Sequence, residues 1–132
     1  MEKGIDLISS RKVLVVDDND VSRRIIKFYL QVCDCEIIEA ADGETAIRLA
    51  EEHHPQLILM DLMMPEMDGL TATRRIREIE GRSEIPIIFL SANNSVDLKQ
   101  RAINEGATDY LVKPDDVHRI KSVINKYLSP AR

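Results

Sequence analysis

Cysteine is nearly missing from this sequence: Cys33 and Cys35 are the only two, one residue apart. A disulfide framework is thereby excluded, and a C-x-C pair with no further cysteine cannot complete a zinc site. Both thiols are expected to be reduced, in the core or near the surface. Missing too is any apolar run approaching the roughly 18 residues that a membrane span needs. The opening residues, MEKGIDLISSRK, lack the apolar centre of a signal peptide, so the expected location is the cytoplasm. Neither G-x-G-x-x-G nor G-x-x-x-x-G-K-[ST] occurs, which leaves dinucleotide and P-loop nucleotide binding without a warrant. Nor is there a basic stripe. The net charge is −5 and the pI near 5.2, and Arg74, Arg75 and Arg77 are interleaved with apolar helix positions, so no direct nucleic-acid contact is expected.

What is present is an ordinary globular composition, 44% apolar and 31% charged over 132 residues, a length expected to form one domain with no room for a second. Five apolar or β-rich runs punctuate it: VLVV at 13–16, EIIEA at 36–40, LILM at 57–60, IIFL at 87–90 and YLV at 110–112. Each is followed by a helix-like stretch. Asn19 or Asp20 can cap a helix carrying Val21, Ile25, Phe28 and Val32 on its apolar face. Asp42 can cap a second carrying Ala46, Leu49 and Ala50. A third, from about Leu70, presents Thr73, Ile76 and Ile79. A fourth, from Asn94 or Ser95, presents Leu98, Ala102 and Ile103. The last, from about Asp116, presents Ile120, Val123, Ile124 and Tyr127. Continuous apolar strands alternating with amphipathic helices predict an α/β fold, a doubly wound parallel sheet of five strands covered on both faces.

In such sheets the ligand pocket lies beyond the carboxyl ends of the strands. VLVV runs into Asp17 and Asp18, LILM into Asp61, IIFL into Ser91 and YLV into Lys113. Any one of these alone reads best as a polar strand terminus. Four strands of five ending in complementary chemistry is another matter. Three carboxylates within roughly 5 Å repel by about 3 kcal/mol per pair at an effective dielectric near 20, so positive charge must sit among them. Lys113 supplies one, and an all-oxygen cluster suits a hard divalent cation, Mg²⁺ before Ca²⁺. Asp17 and Asp18 can both serve only if the chain turns directly after Val16, one binding the metal directly and the other through water. A carboxylate so placed is a competent nucleophile for phosphoryl transfer, and Asp61, alone on the middle strand, is best placed for it.

These residues carry a resemblance. The acidic pair in VLVVDDND, the block LILMDLMMPEMDGLTATRRIR, the hydroxyl in PIIFLSA and the stretch GATDYLVKP stand in the order and spacing of the response-regulator receiver domains of two-component signalling. The likeness covers about Lys12 to Leu128, and implies the flavodoxin-like (βα)5 receiver fold with a short N-terminal extension. It further implies that Asp61 is the phosphoacceptor, Asp17 and Asp18 the metal-binding pair, and the Met63 carbonyl a further Mg²⁺ ligand. Ser91 would be the switch hydroxyl, Tyr110 the switch aromatic, and Lys113 the phosphate-contacting lysine, followed by a cis bond to Pro114. The implied donor is a phosphohistidine on a histidine kinase or histidine phosphotransfer protein. The implied output is a protein effector reading the fourth helix, fifth strand and fifth helix. The block around Asp61 looks most like receivers of hybrid histidine kinases. Such a domain is not an enzyme acting on external substrates; it catalyses its own phosphorylation and slow dephosphorylation. Two departures stand out: Asp115 and Asp116 follow the Lys-Pro pair where an apolar residue is common, and Ser91 replaces a commoner threonine.

A small aspartyl-phosphate hydrolase of the haloacid dehalogenase type is the competing reading, since Asp18, Asn19, Asp20 and Val21 read as D-x-D-x after a strand. It lacks an acidic motif after Lys113 and leaves Asp61 without a role. A receiver-like partner-binding module without phosphorylation is the third. His53 and His54 suit the end of a helix, His118 has no ligand partner near it in sequence, and Met63, Met64 and Met67 read as packing residues.

Overall fold

The computed structural model describes residues 11–128. Strands β1 (Lys12–Val16), β2 (Glu36–Ala40), β3 (Leu57–Asp61), β4 (Ile87–Ser91) and β5 (Asp109–Val112) alternate with five helices: α1 (Asp20–Leu30), α2 (Gly43–His53), α3 (Gly69–Arg77), α4 (Val96–Asn104) and α5 (Ile120–Tyr127). The sheet is fully parallel, in the order β2-β1-β3-β4-β5. Alternate strand residues feed opposite faces. Leu14, Val16, Ile58, Met60, Ile87 and Phe89 pack with apolar residues of α2, α3 and α4. Val13, Val15, Leu57, Leu59, Ile88 and Leu90 pack with those of α1 and α5. This is the doubly wound arrangement expected, and it explains why β1, β3 and β4 read as unbroken apolar runs.

The helices begin where short polar side chains can accept an otherwise unpaired amide. Asn19, Asp42, Asp68 and Ser95 accept from the N–H of Ser22, Thr45, Thr71 and Leu98. Gly69 is required by close approach: a Cβ there would lie 2.5 Å from the Asp61 carbonyl oxygen. Only glycine lets α3 start so near the strand that carries Asp61.

Three expectations are corrected. The apolar stripe Val21, Ile25, Phe28 and Val32 does not face the core; these side chains are 48–65% exposed, and Ile26, Leu30 and Cys33 are buried instead. Both stripes have helical period, and contacts from Ser22 and Arg23 to Asp17 fix which one turns inward. Ile103 on α4 is likewise exposed. The last helix starts at Ile120 after a 3₁₀ turn at Val117–Arg119 that contains His118, because Asp116 does not cap it. The Asp116 carboxylate reaches back to accept the Val112 N–H at 2.9 Å, and that bond holds its carboxyl below the usual range.

Candidate functional site

The carboxyl ends of β1, β3, β4 and β5 bring the sequence-marked residues to one rim. Asp17 follows β1 directly, its N–H donating to the Ala40 carbonyl at 3.1 Å, and its side chain is buried. Asp18 is exposed. Asp61 is the last residue of the central strand and is 8% exposed. One carboxylate oxygen from each of the three lies within 4.8 Å of the others. Burial pushes the Asp61 carboxyl up to about 6; the Lys113 charge opposes this, and Asp17 and Asp18 add to it. Its Oδ1 accepts the Met63 N–H at 3.3 Å.

Lys113 is placed at the same rim by β5, and its N–H donates to the Ser91 carbonyl at 2.8 Å. The Lys113–Pro114 peptide is cis. The lysine ammonium is given to Asp17, at 3.1 Å, and to the Ser22 hydroxyl, at 3.2 Å. Asp17 thus accepts from three donors: Oδ1 accepts the Asn19 N–H at 2.9 Å, and Oδ2 accepts both Lys113 and the Ser22 hydroxyl, the latter at 2.5 Å. Ser22 was not marked by the sequence, because a serine in a first helical turn carries no signature until its strand neighbour is known.

Ser91 is fully buried, its hydroxyl accepting the Asn93 N–H at 3.1 Å. The Tyr110 hydroxyl donates to the Asn93 carbonyl at 2.8 Å. Its half-buried ring lies 6.3 Å from that of Phe89. The loop after Ser91 is therefore tied to β5 through a single phenol. Met63 is 64% exposed beside the acidic cluster, whereas Met64 is buried and Met67 partly so.

Residues 13–125 match the model of the response regulator receiver domain. The chain belongs to that family. This receiver is 39% identical over 121 residues to the transcriptional regulatory protein SrrA of Staphylococcus aureus, covering 89% of this chain and 49% of that protein. It spans about half the length of the curated relatives it matches. Among solved structures, the chemotaxis protein CheY4 of Vibrio cholerae is 31% identical with a TM-score of 0.84, covering 90% of this chain and 99% of that one. The receiver domain of the Pseudomonas aeruginosa sensor histidine kinase PA1611, with a magnesium ion coordinated in its active site cleft, is 33% identical with a TM-score of 0.82, covering 89% and 97%. The receiver therefore works in two-component signalling, and the hydrolase reading falls with the family assignment. No described helix is long and apolar enough to cross a membrane.

The rim fits a hard cation. Of the three carboxylates only Asp17 pairs with the Lys113 ammonium, and Asp61 forms no ion pair among the described residues. An oxygen-only donor set short of positive charge is what Mg²⁺ favours.

Proposed function

We propose that this receiver accepts a phosphoryl group on Asp61 from a phosphohistidine of a histidine kinase or histidine phosphotransfer protein, with Mg²⁺ at the rim. The observation that carries the proposal is the placement of Asp61: it ends the central strand, inside the acidic cluster, with no ion pair of its own among the described residues. An Asp61 oxygen attacks phosphorus, the new O–P bond forming as the donor's N–P bond breaks. The electron pair stays on the imidazole nitrogen, which then takes a proton from solvent. Asp18, Asp61 and the Met63 carbonyl would hold the metal, with Asp17 less directly, because its oxygens are already taken by Asn19, Ser22 and Lys113. Bound there, the ion would neutralise the phosphoryl oxygens as a Lewis acid.

Ser91 and Tyr110 supply the readout. A buried hydroxyl that turns from the Asn93 amide to a phosphoryl oxygen loosens the loop that Tyr110 holds, and the α4-β5-α5 face changes for a protein effector. One charged hydrogen bond contributes roughly 1.5–3 kcal/mol, whereas a shift from 1:99 to 99:1 takes about 5.5, so Lys113, the metal and the Tyr110 ring must supply the remainder. The exposed apolar stripe of α1 starts at Val21, next to the Ser22 that touches Asp17, and so gives the donor a docking face contiguous with the site. A net charge of −5 favours protein partners over nucleic acid, in the cytoplasm, with a receiver core of about 12–128.

Asp61→Asn is expected to abolish labelling by acetyl phosphate; a fully labelled variant would place the acceptor elsewhere. Phe28→Asp is expected to slow transfer from a phosphohistidine donor at least roughly tenfold, the scale of losing one buried aromatic anchor. Labelling by acetyl phosphate should not change. Equal slowing with both donors would remove α1 as the docking face.

A further inference from the structure

We infer that Ser22 is a positioning residue that parks the Lys113 ammonium on Asp17 and so restrains it from Asp61 until a phosphoryl group arrives. This rests on the reading of Asp61 as phosphoacceptor and adds a control on the lysine that serves it.

Lysine at this rim has three carboxylates to choose between, and the structure shows the choice. Among the described residues its ammonium is paired with Asp17 and with no other carboxylate. Asp61 feels the charge only at longer range, and its only recorded donor is the Met63 N–H. Ser22 joins both halves of the parked pair. Its hydroxyl donates to the same Asp17 oxygen that the lysine contacts and accepts from the lysine nitrogen. A hydroxyl has one proton to give and lone pairs to receive with, so both bonds are made at once and in one sense only: Lys113 to Ser22, Ser22 to Asp17. The triangle closes on an oxygen of a carboxylate that is 1% exposed, where water cannot easily replace a lost partner.

The helix keeps Ser22 in place. Its backbone N–H donates to the capping Asn19 side-chain oxygen at 2.8 Å, so its position is fixed by the start of α1. Its neighbours Ile25 and Ile26, with Lys113, Pro114 and Val117, line a largely apolar slot of about 190 Å³. That slot offers the ammonium no carboxylate, so its acidic partners are those of the rim. Removing the hydroxyl takes an acceptor from Lys113 in the parked state and a donor from Asp17. The parked state loses support that the phosphorylated state, with the ammonium on phosphoryl oxygens, does not need.

The test uses the whole 132-residue chain as wild type, Ser22→Ala and Ser22→Thr, the last keeping the hydroxyl. Two readouts are taken. In metal-free protein, the ¹⁵N–¹H signal of the Lys113 ammonium reports whether it is held, by its exchange with water. With Mg²⁺ and acetyl phosphate, the labelling rate is resolved into its maximum and its half-saturating donor concentration. Ser22→Ala is expected to speed ammonium exchange and raise the maximal labelling rate roughly tenfold, the low end for a hydrogen bond to a charged group. Half-saturation should stay within about twofold, since the donor does not touch Ser22. Ser22→Thr should restore both readouts. An Ala variant that is folded by circular dichroism yet keeps wild-type exchange and rate, or labels more slowly, overturns the inference. So does a Thr variant that behaves like Ala. Failure of wild type to label at all would instead remove the Asp61 reading beneath it.

Discussion

The two ends of the sheet treat charge in opposite ways. At the carboxyl ends of the strands, Asp17, Asp18 and Asp61 crowd within 4.8 Å around a single ammonium. At the amino ends, guanidiniums sit among carbonyls. Arg77 donates to Ile85 at 2.5 Å and to Gly106 at 2.7 Å, and Arg82 to Ala50 at 2.8 Å and Glu51 at 3.0 Å, with the His54 ring as a further partner. The Ala50, Glu51 and Gly106 carbonyls lie at the end of α2 and in the turn after α4, where helices have acceptors to spare and a partial negative charge, while that of Ile85 leads into β4. Arg77 and Arg82 are satisfied from within the chain and serve the fold, whereas Arg11, buried just before β1, leaves two guanidinium nitrogens without a partner among the described residues. The carboxyl-end anions are left short of counter-charge, and only something from outside completes them.

The sharpest way to break the contrast is at Arg77. Arg77→Leu strips donors from the Ile85 and Gly106 carbonyls, and is expected to destabilise the domain by about 2–4 kcal/mol in urea titrations. Acetyl phosphate should still label whatever fraction is folded. A loss of labelling without loss of stability would mean that the two ends are not separable.

Asp61→Asn should act in the reverse direction. The folded carboxyl is raised to about 6, so the folded state binds a proton that the unfolded chain releases near pH 4. That contribution is fully present below about pH 4 and is lost as pH rises through 6. Metal-free Asp61→Asn is therefore expected to be more stable than wild type by about 1–2 kcal/mol at pH 7.5, after allowance for solvent at this open rim. The gap should narrow towards pH 4. Equal urea midpoints at pH 7.5 with EDTA present would show that the rim carries no strain.

The acidic pair sharpens the comparison within the rim itself. Asp17 is buried and accepts from three donors, whereas Asp18 is exposed and its oxygens take no donor among the described residues. Mg²⁺ affinity, measured by calorimetry, should fall roughly tenfold for Asp18→Ala, about 1.4 kcal/mol, and less for Asp17→Ala. The reverse order would make Asp17 the nearer ligand.

How much of this could be read in the sequence divides along the same line. Strand ends were legible because each apolar run stops at a residue of unmistakable chemistry, as LILM stops at Asp61. The rotation of α1 was not, since Val21-Ile25-Phe28 and Ile26-Leu30-Cys33 share one period and only contacts to Asp17 choose between them. Arg82 gave no signal either, because its closest carbonyl partners, Ala50 and Glu51, lie 32 and 31 residues away. Asp116 had two local options, capping α5 or bonding back to Val112, and local sequence does not rank them.

The smallest expected effect concerns how long the phosphoryl group would persist. An acyl phosphate is lost when water lines up opposite the Asp61 oxygen, so side chains flanking the rim set its lifetime by orienting or excluding that water. Two flank it by position, Met63 and Asn93. The Asn93 carboxamide oxygen already accepts the Ser95 N–H at 2.8 Å, which holds the side chain to its own loop, and a carboxamide is a poor base. Met63 projects an exposed thioether from a backbone held on Asp61 through its own N–H, and a thioether is too weak an acceptor to orient water. Neither flank helps hydrolysis, and the phosphoaspartate is expected to be slow to decay, suiting relay or removal by a partner. Met63→Asn keeps the backbone contact while adding a polar arm, so phosphate loss from the isolated, labelled domain should quicken by roughly two- to fivefold. If the decay were unchanged or slower with Mg²⁺ affinity intact, access of water would be governed by another group, and the loop after Ser91 would be the next place to look.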